Sequence, residues 1–366
     1  MTYKRIDTSE YPQQLAQKAD RVREMFRPFH LNEVEVFESP ASHYRMRAEF
    51  RVWHEGDDLY YIMFNPETRE KIRMNEFIPG SLLINELMKE LISLLKPNDV
   101  LRRKLFQVDF LTTTTGEAII SLLYHRPLDD QWEQEAIQLR EALTSIAKVE
   151  VIGRARKQKR VLYKESVTEE VKVDGKSYLS LQTENSFTQP NAIINQQMIS
   201  WAKRHAGNNS HDLLELYCGN GNFTLPLAEN FNRVLATEIS KSSVAAAREN
   251  AELNNIKNVT VVRMSAEEFS AALSGELESK RAADAEIHSF DCQTVLVDPP
   301  RAGLDKDTLK LVSQYQRIIY ISCNPETLTE NIHDLSSSHK VTAAAMFDQF
   351  PYTDHIETGV VLERKS

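Results

Sequence analysis

Cys323 has the sequence surroundings of a reactive cysteine. It follows an apolar run, Arg317-Ile318-Ile319-Tyr320-Ile321-Ser322, and precedes Asn324-Pro325-Glu326-Thr327. A buried strand therefore delivers it to the start of a helix with proline in its first turn. The positive end of a helix lowers a thiol's pKa, and the thiolate is the nucleophile, so covalent catalysis is the expected chemistry. The chain has only three cysteines, an odd and sparse set that forms neither a disulfide framework nor a paired zinc site. Cys292 precedes its strand and is expected to be inert, about five residues or roughly 17 Å from the strand's other end. Cys218 lies in a glycine-rich turn and is expected to line it. A covalent mechanism also needs a base. Pro351-Tyr352-Thr353-Asp354-His355-Ile356-Glu357-Thr358 reads as a polar turn entering a terminal strand. Glu357 is the candidate there, with Asp354 and His355 as rivals and an exposed surface carboxylate as the bland alternative.

A ligand site lies upstream. Asp212-Leu213-Leu214-Glu215-Leu216-Tyr217 runs into Cys218-Gly219-Asn220-Gly221-Asn222-Phe223-Thr224, then into helical Leu225-Pro226-Leu227-Ala228. Glycines at 219 and 221 let the backbone approach a nucleotide at the carboxyl end of a strand. A dinucleotide-binding turn wants a third glycine where Thr224 stands, so NAD is disfavoured. The next strand, Arg233-Val234-Leu235-Ala236-Thr237, ends at Glu238, about 20 residues past the glycines, where a carboxylate can accept both ribose hydroxyls. S-adenosylmethionine has such a ribose and no pyrophosphate. Residues 259–264 lead to Ser265-Ala266-Glu267, and Thr294-Val295-Leu296-Val297 ends in Asp298-Pro299-Pro300-Arg301, so each loop opens on one rim. The ordered set of Gly-x-Gly, Glu238 and Asp298-Pro-Pro resembles the S-adenosylmethionine-dependent methyltransferases, which implies a methyl donor beside Cys323. Carbon 5 of a pyrimidine is too poor a nucleophile to take a methyl group unaided. Attack of a thiolate at carbon 6 makes the ring an enolate whose carbon 5 can, after which a base must remove the carbon 5 proton.

Two domains position these residues, because 366 residues exceed what one core usually organises. Strand and helix signals alternate in residues 181–366, the pattern of an open parallel sheet covered on both faces and here Rossmann-like. Residues 1–180 read as an α+β domain. In it 7–26 and 129–146 look helical, the latter with Trp132, Ala136, Leu139 and Leu143 at helical spacing. Residues 43–53, the turn Gly56-Asp57-Asp58 and residues 59–64 form a hairpin. Period two places Arg45, Arg47, Glu49 and Arg51 opposite Tyr44, Met46, Ala48, Phe50 and Val52. Three arginines on one sheet face suit phosphate contacts, although a solvated face explains them too. Phe106, Tyr124, His125 and Arg126 border a second hairpin around Thr115-Gly116-Glu117 and could stack on unpaired bases.

Composition agrees with a globular chain: 41% hydrophobic and 27% charged residues. Apolar runs fall far short of the roughly 20 residues that span a bilayer. The first residues lack a signal-peptide core, so a cytoplasmic location is expected. The net charge of -9 argues against nucleic acid, but residues 1–180 hold 28 basic and 29 acidic side chains, so the excess acid belongs to the other half. Arg154, Arg156, Lys157, Lys159, Arg160 and Lys164 cluster with no acid between them, enough to touch several phosphates.

The motifs together resemble the RNA uridine-5-methyltransferase family. Phe187-Thr188-Gln189-Pro190-Asn191, Glu215 to Phe223, Asp298-Pro299-Pro300-Arg301 and Ser322-Cys323-Asn324-Pro325 carry that resemblance, which extends less specifically to Tyr44-Arg45-Met46-Arg47. It implies that Gln189, Tyr217, Asn222, Glu238 and Asp298 contact S-adenosylmethionine, that Cys323 is the nucleophile and that Glu357 is the base. Relatives acting on ribosomal RNA commonly carry a four-cysteine iron-sulfur cluster and a small extra barrel. Three cysteines cannot build that cluster, and no barrel-sized segment precedes residue 7. The expectation is therefore the tRNA branch, with the T-loop uridine extruded toward Cys323. Arg45, Arg47 and Arg51 would hold phosphates and Phe106 would stack on a base. A monomer without metal, cluster or membrane contact is expected. The alternatives are a different structured RNA or a silent RNA-binding protein. A cytosine-5 enzyme would place a cysteine after Pro299, where Pro300 and Arg301 stand.

Overall fold

The computed structural model describes residues 6–31, 33–65, 68–207 and 210–366. They form two compact units. One comprises Pro40–Glu170, Leu181–Ala192 and the residues before Tyr11; the other comprises Tyr11–Ser39, Val171–Ser180 and Ile193–Ser366. This differs from a single cut at residue 180. The Glu35–Phe37 strand extends the second unit's sheet by pairing in parallel with His339–Phe347, and the Tyr11–Phe26 helix goes with it. Sheet neighbours need not be sequence neighbours, so linear order cannot place such a strand.

The second unit has an eight-stranded sheet in the order Glu35–Phe37, His339–Phe347, Glu357–Arg364, Arg317–Ser322, Cys292–Val297, Asp212–Leu216, Val234–Glu238, Val259–Arg263. The last five run parallel, whereas Glu357–Arg364 is antiparallel to both of its neighbours. Parallel strands are buried on both faces, hence the continuous apolar runs. Leu214, Leu216, Val295, Val297, Ile318 and Tyr320 pack on one side. Leu213, Leu296, Ile319 and Ile321 pack with Trp201 and Phe347 on the other.

The first unit is α+β. Its seven-stranded sheet runs Lys71–Met74, Asp58–Phe64, Arg47–Glu55, Leu105–Thr112, Glu117–Tyr124, Lys148–Ala155, Gln158–Val161. The Asp130–Leu143 helix buries Trp132, Ala136, Leu139 and Leu143, and Asp129 caps it by accepting from Trp132 N at 2.8 Å. Leu82–Leu95 adds Ile84, Leu87, Met88, Leu91 and Leu95 to the same core. Among the described residues no helix is long and apolar enough to cross a membrane.

Candidate active site

Register aligns the chemistry. Leu216 pairs with Thr237 on one side and Val297 on the other, so Glu238, Tyr217 and Asp298 follow at one level on adjacent strand ends. Ser322 pairs antiparallel with Thr358, so one step further along each strand brings Cys323 opposite Glu357. The Thr358 hydroxyl donates to Ser322 O at 3.1 Å and fastens that junction. The cysteine loop is tied to the Asp298-Pro299-Pro300-Arg301 turn: Asn324 Nδ2 and Thr327 Oγ1 donate to Arg301 O at 2.9 and 3.2 Å. The Pro325–Leu335 helix begins where the sequence places it.

Electrostatics here depart from the helix-start argument. Burial, then the Glu357 and Asp298 carboxyls, push the Cys323 thiol up to about 11, against the opposing effect of Arg301. The thiol is half-buried and faces two acids, and both conditions disfavour the anion. Burial raises Asp298 to about 7 although it keeps some solvent access. Glu357, 6% exposed, is raised well above the carboxylate range by burial and then by Asp298. Its rivals Asp354 and His355 are exposed. Cys292 sits at the opposite end of its strand, and burial lifts its thiol to about 12. Cys218 is buried in the glycine turn, with its thiol held well above the ordinary value.

The turn is built to receive a ligand. Gly219 and Gly221 have φ of +55° and +90°, and Tyr217, half-buried, has +62°. A Cβ at Gly219 would meet no protein atom within 4 Å, so the backbone borders open space. At Gly221 a Cβ would lie 3.4 Å from Leu225 and 3.7 Å from Ala247, which lets the turn pack closely on its helices. Glu238 is held by Gly219 N, which donates to Oε2 at 3.1 Å, and by Ser240 N, which donates to Oε1 at 2.7 Å. Its carboxylate is partly exposed, so lone pairs remain for a pair of ligand hydroxyls. This donor and acceptor set fits the adenosine ribose. Among the described residues no group of three His, Cys, Asp or Glu converges as a metal site.

Other expected residues fall differently. Asn222 forms a reciprocal amide pair with Asn195, at 2.9 and 2.8 Å. Asn195 was not foreseen, because a lone asparagine in the Ala192–Ala206 helix carries no local signal of a partner 27 residues on. Gln189 is half-buried and belongs to the first unit. The three arginines do not share an exposed face. Arg45 is half-buried, outside the regular strand, and its Nε donates to Arg47 O at 2.7 Å. Arg47 donates to Ser186 O at 2.7 Å. Only Arg51 is exposed, with its guanidinium 5.4 Å from the Phe106 ring centre. Phe106 stacks on His125 at 3.8 Å. In the basic cluster, Arg154 pairs with Glu184, Lys159 with Glu165 and Glu184, and Arg160 with Asp130 and Glu133. That run is thus partly neutralised, by neighbouring Glu165 and by Glu184, Asp130 and Glu133 further off in sequence.

Comparison with known proteins bears on this geometry. The family described as tRNA (Uracil-5-)-methyltransferase matches residues 10–365. The chain belongs to the tRNA (uracil-5-)-methyltransferase family. It is 55% identical over 364 residues, 99% of each chain, to the tRNA/tmRNA (uracil-C(5))-methyltransferase of Vibrio parahaemolyticus. The same-named protein of Shewanella denitrificans is 55% identical over 360 residues, 98% of this chain and 99% of that one. The crystal structure of Pyrococcus abyssi tRNA (uracil-54, C5)-methyltransferase in complex with S-adenosyl-L-homocysteine superposes with a TM-score of 0.71 at 22% identity, covering 96% of this chain and 83% of that one. That likeness is one of fold. Membership in the family spans both units, since the match covers the α+β unit as well as the sheet that carries Cys323.

Proposed function

We propose that this chain transfers a methyl group from S-adenosylmethionine to carbon 5 of the T-loop uridine of tRNA, through a cysteine adduct. The observation that carries this reading is the register that brings Cys323 opposite Glu357, beside Asp298, on the rim that holds Glu238. The names of the Vibrio and Shewanella relatives support the uracil carbon 5 chemistry, and the Pyrococcus name supports position 54.

Glu238 would accept the ribose hydroxyls, with Tyr217, Asn222 and Asp298 completing the second unit's share of S-adenosylmethionine binding. When bound, this group supplies an electrophilic methyl on a positively charged sulfur. A positive charge held at this rim would favour the thiolate that burial disfavours. Cys323 Sγ adds to carbon 6 of the uracil, and the ring electrons shift to the carbonyl oxygen at carbon 4. The pair on that oxygen then returns and carbon 5 would bond to the methyl group, whose bond to sulfur breaks with its electrons staying on the now neutral sulfur. Glu357 removes the proton left on carbon 5; the electrons of that bond restore the ring double bond, and the carbon 6–sulfur bond breaks with its pair returning to sulfur. As a base Glu357 must be ionised; burial and Asp298 disfavour that charge, and a positive charge bound at this rim would oppose them. Extrusion of the base costs unstacking energy, offset by stacking on Phe106 and phosphate contact from Arg51. Arg45 and Arg47, half-buried, shape the backbone around that surface. The enzyme acts as a cytoplasmic monomer, and the relatives' names extend the substrates to a second structured RNA, tmRNA.

The test is transfer of labelled methyl to tRNA transcribed without modifications, with the product nucleotide mapped. Labelled 5-methyluridine in the T loop, absent with Cys323→Ala, is the expected result. Label at another nucleotide, or label that survives loss of the thiol, refutes the reading.

A further inference from the structure

The Tyr11–Phe26 helix lies far from Cys323 in sequence, yet it grips the segment that leads into Glu357. Residues 348–356 form the loop between His339–Phe347 and Glu357–Arg364, and this loop closes across the Phe347–Glu357 pair. Three helix residues at positions i, i+3 and i+7, which share one face, hold it. The Lys18 ammonium donates to Asp348 Oδ1 at 2.7 Å and to Phe350 O at 2.9 Å. Gln14 Oε1 accepts from Tyr352 N. The Tyr11 ring lies 5.7 Å from the Tyr352 ring, and its hydroxyl accepts from Ser39 N at 2.8 Å. Lys18 and Asp348 are 6% and 1% exposed. Apolar residues of similar volume would generally be as stabilising as such a buried ion pair, so its distinct contribution is a fixed geometry. Here that geometry belongs to the loop whose last residue precedes the base.

We propose that the Lys18–Asp348 pair is a positioning device for Glu357: it holds the 348–356 loop so that the carboxylate meets the carbon 5 proton of the methylated adduct. This rests on the covalent reaction proposed above. With the loop released, addition of Cys323 and methyl transfer proceed, because neither uses Glu357. Elimination slows, and enzyme accumulates with Sγ still bonded to carbon 6 of a ring that carries both the new methyl group and its hydrogen.

The experiment compares the full-length enzyme with Lys18→Met and with Lys18→Met/Asp348→Asn, because the single change leaves a buried carboxylate without its counter-charge. Unmodified tRNA and labelled S-adenosylmethionine are the probes. Turnover, both KM values and the labelled protein–RNA adduct on denaturing gels are the readouts, with Glu357→Gln as the comparator. The double variant should lose roughly 10- to 100-fold in kcat, as a misplaced catalytic group does. Both KM values should fall along with kcat, leaving each kcat/KM within about twofold, because the slowed step follows irreversible methyl transfer, whereas lost binding would raise KM. The adduct fraction should rise toward that of Glu357→Gln. Native-like turnover in the double variant, or reduced turnover with no rise in adduct, overturns the positioning role. If Glu357→Gln accumulates adduct and the Lys18 variants do not, the positioning role fails alone. If Glu357→Gln itself accumulates none, the covalent reading fails and takes the positioning role with it.

Discussion

The ionisation of Cys323 separates two physical arguments that oppose each other. A helix start favours thiolate, whereas burial beside Glu357 and Asp298 raises the thiol from 9.0 to about 11. At about pH 8 the shift leaves roughly 0.1% thiolate in place of roughly 10%, about 100-fold less. A more basic thiolate is also more nucleophilic, and a Brønsted coefficient of about 0.4–0.5 returns roughly 6- to 10-fold. The net expectation is alkylation about tenfold slower than for an ordinary cysteine at that pH, with the rate still climbing tenfold per pH unit to beyond about pH 10. The assay is iodoacetamide labelling of the ligand-free enzyme across pH, followed by mass spectrometry of the Cys323 peptide. Glu357→Gln should leave the apparent pKa raised by burial while removing the contribution of that carboxyl. S-adenosylmethionine should lower it more than S-adenosylhomocysteine, which lacks the positive charge. A rate that levels off below about pH 8.5 in the ligand-free enzyme refutes the reasoning and restores the helix terminus as the dominant influence.

Other tests address single residues. Glu238→Ala should weaken S-adenosylhomocysteine binding by roughly 10- to 100-fold in titration calorimetry, since hydrogen bonds to a carboxylate are lost; unchanged affinity removes the ribose role. Glu215 is 1% exposed and burial raises its carboxyl from 4.5 to about 8. Its folded value lies above the unfolded one, so the stability it contributes is fully present below about pH 4.5 and is lost as pH rises through about 8. From about pH 5.5 to about pH 8.5 this amounts to about 3 kcal/mol, so Glu215→Gln should gain roughly 4 °C in Tm on the native protein over that interval, and a constant difference contradicts it. Phe106→Ala should reduce tRNA turnover by the equivalent of roughly 1–3 kcal/mol of stacking while cofactor affinity stays the same; native turnover excludes a stacking role.

The candidate site was legible where chemistry is written in adjacent residues. The glycines at 219 and 221, the acid ending the next strand and Asp298-Pro299-Pro300 each sit at a strand end, and strand ends of a parallel sheet share one rim whatever the details of packing. The first-unit surface was less legible. Alternation correctly buried Ala48, Phe50 and Val52, yet Arg45 lies outside the regular strand and Arg47 turns to a backbone oxygen, so one exposed arginine stands where three were expected. Period two describes which way a side chain leaves a strand but not what it then finds.

The sequence by itself determined the elements, the family motifs, the candidate nucleophile and the order in which loops reach the rim, because these depend on local propensity and on residues within a few positions of each other. Only the tertiary structure decided that the Tyr11–Phe26 helix belongs with the catalytic sheet, that Asn195 holds Asn222, and that Lys18 fastens the loop before Glu357. It also set burial and two carboxyls against the ionisation expected of Cys323. Burial and the field of Glu357, 34 residues further along the chain, exist only once the strands have paired, and they oppose the influence of the cysteine's own helix.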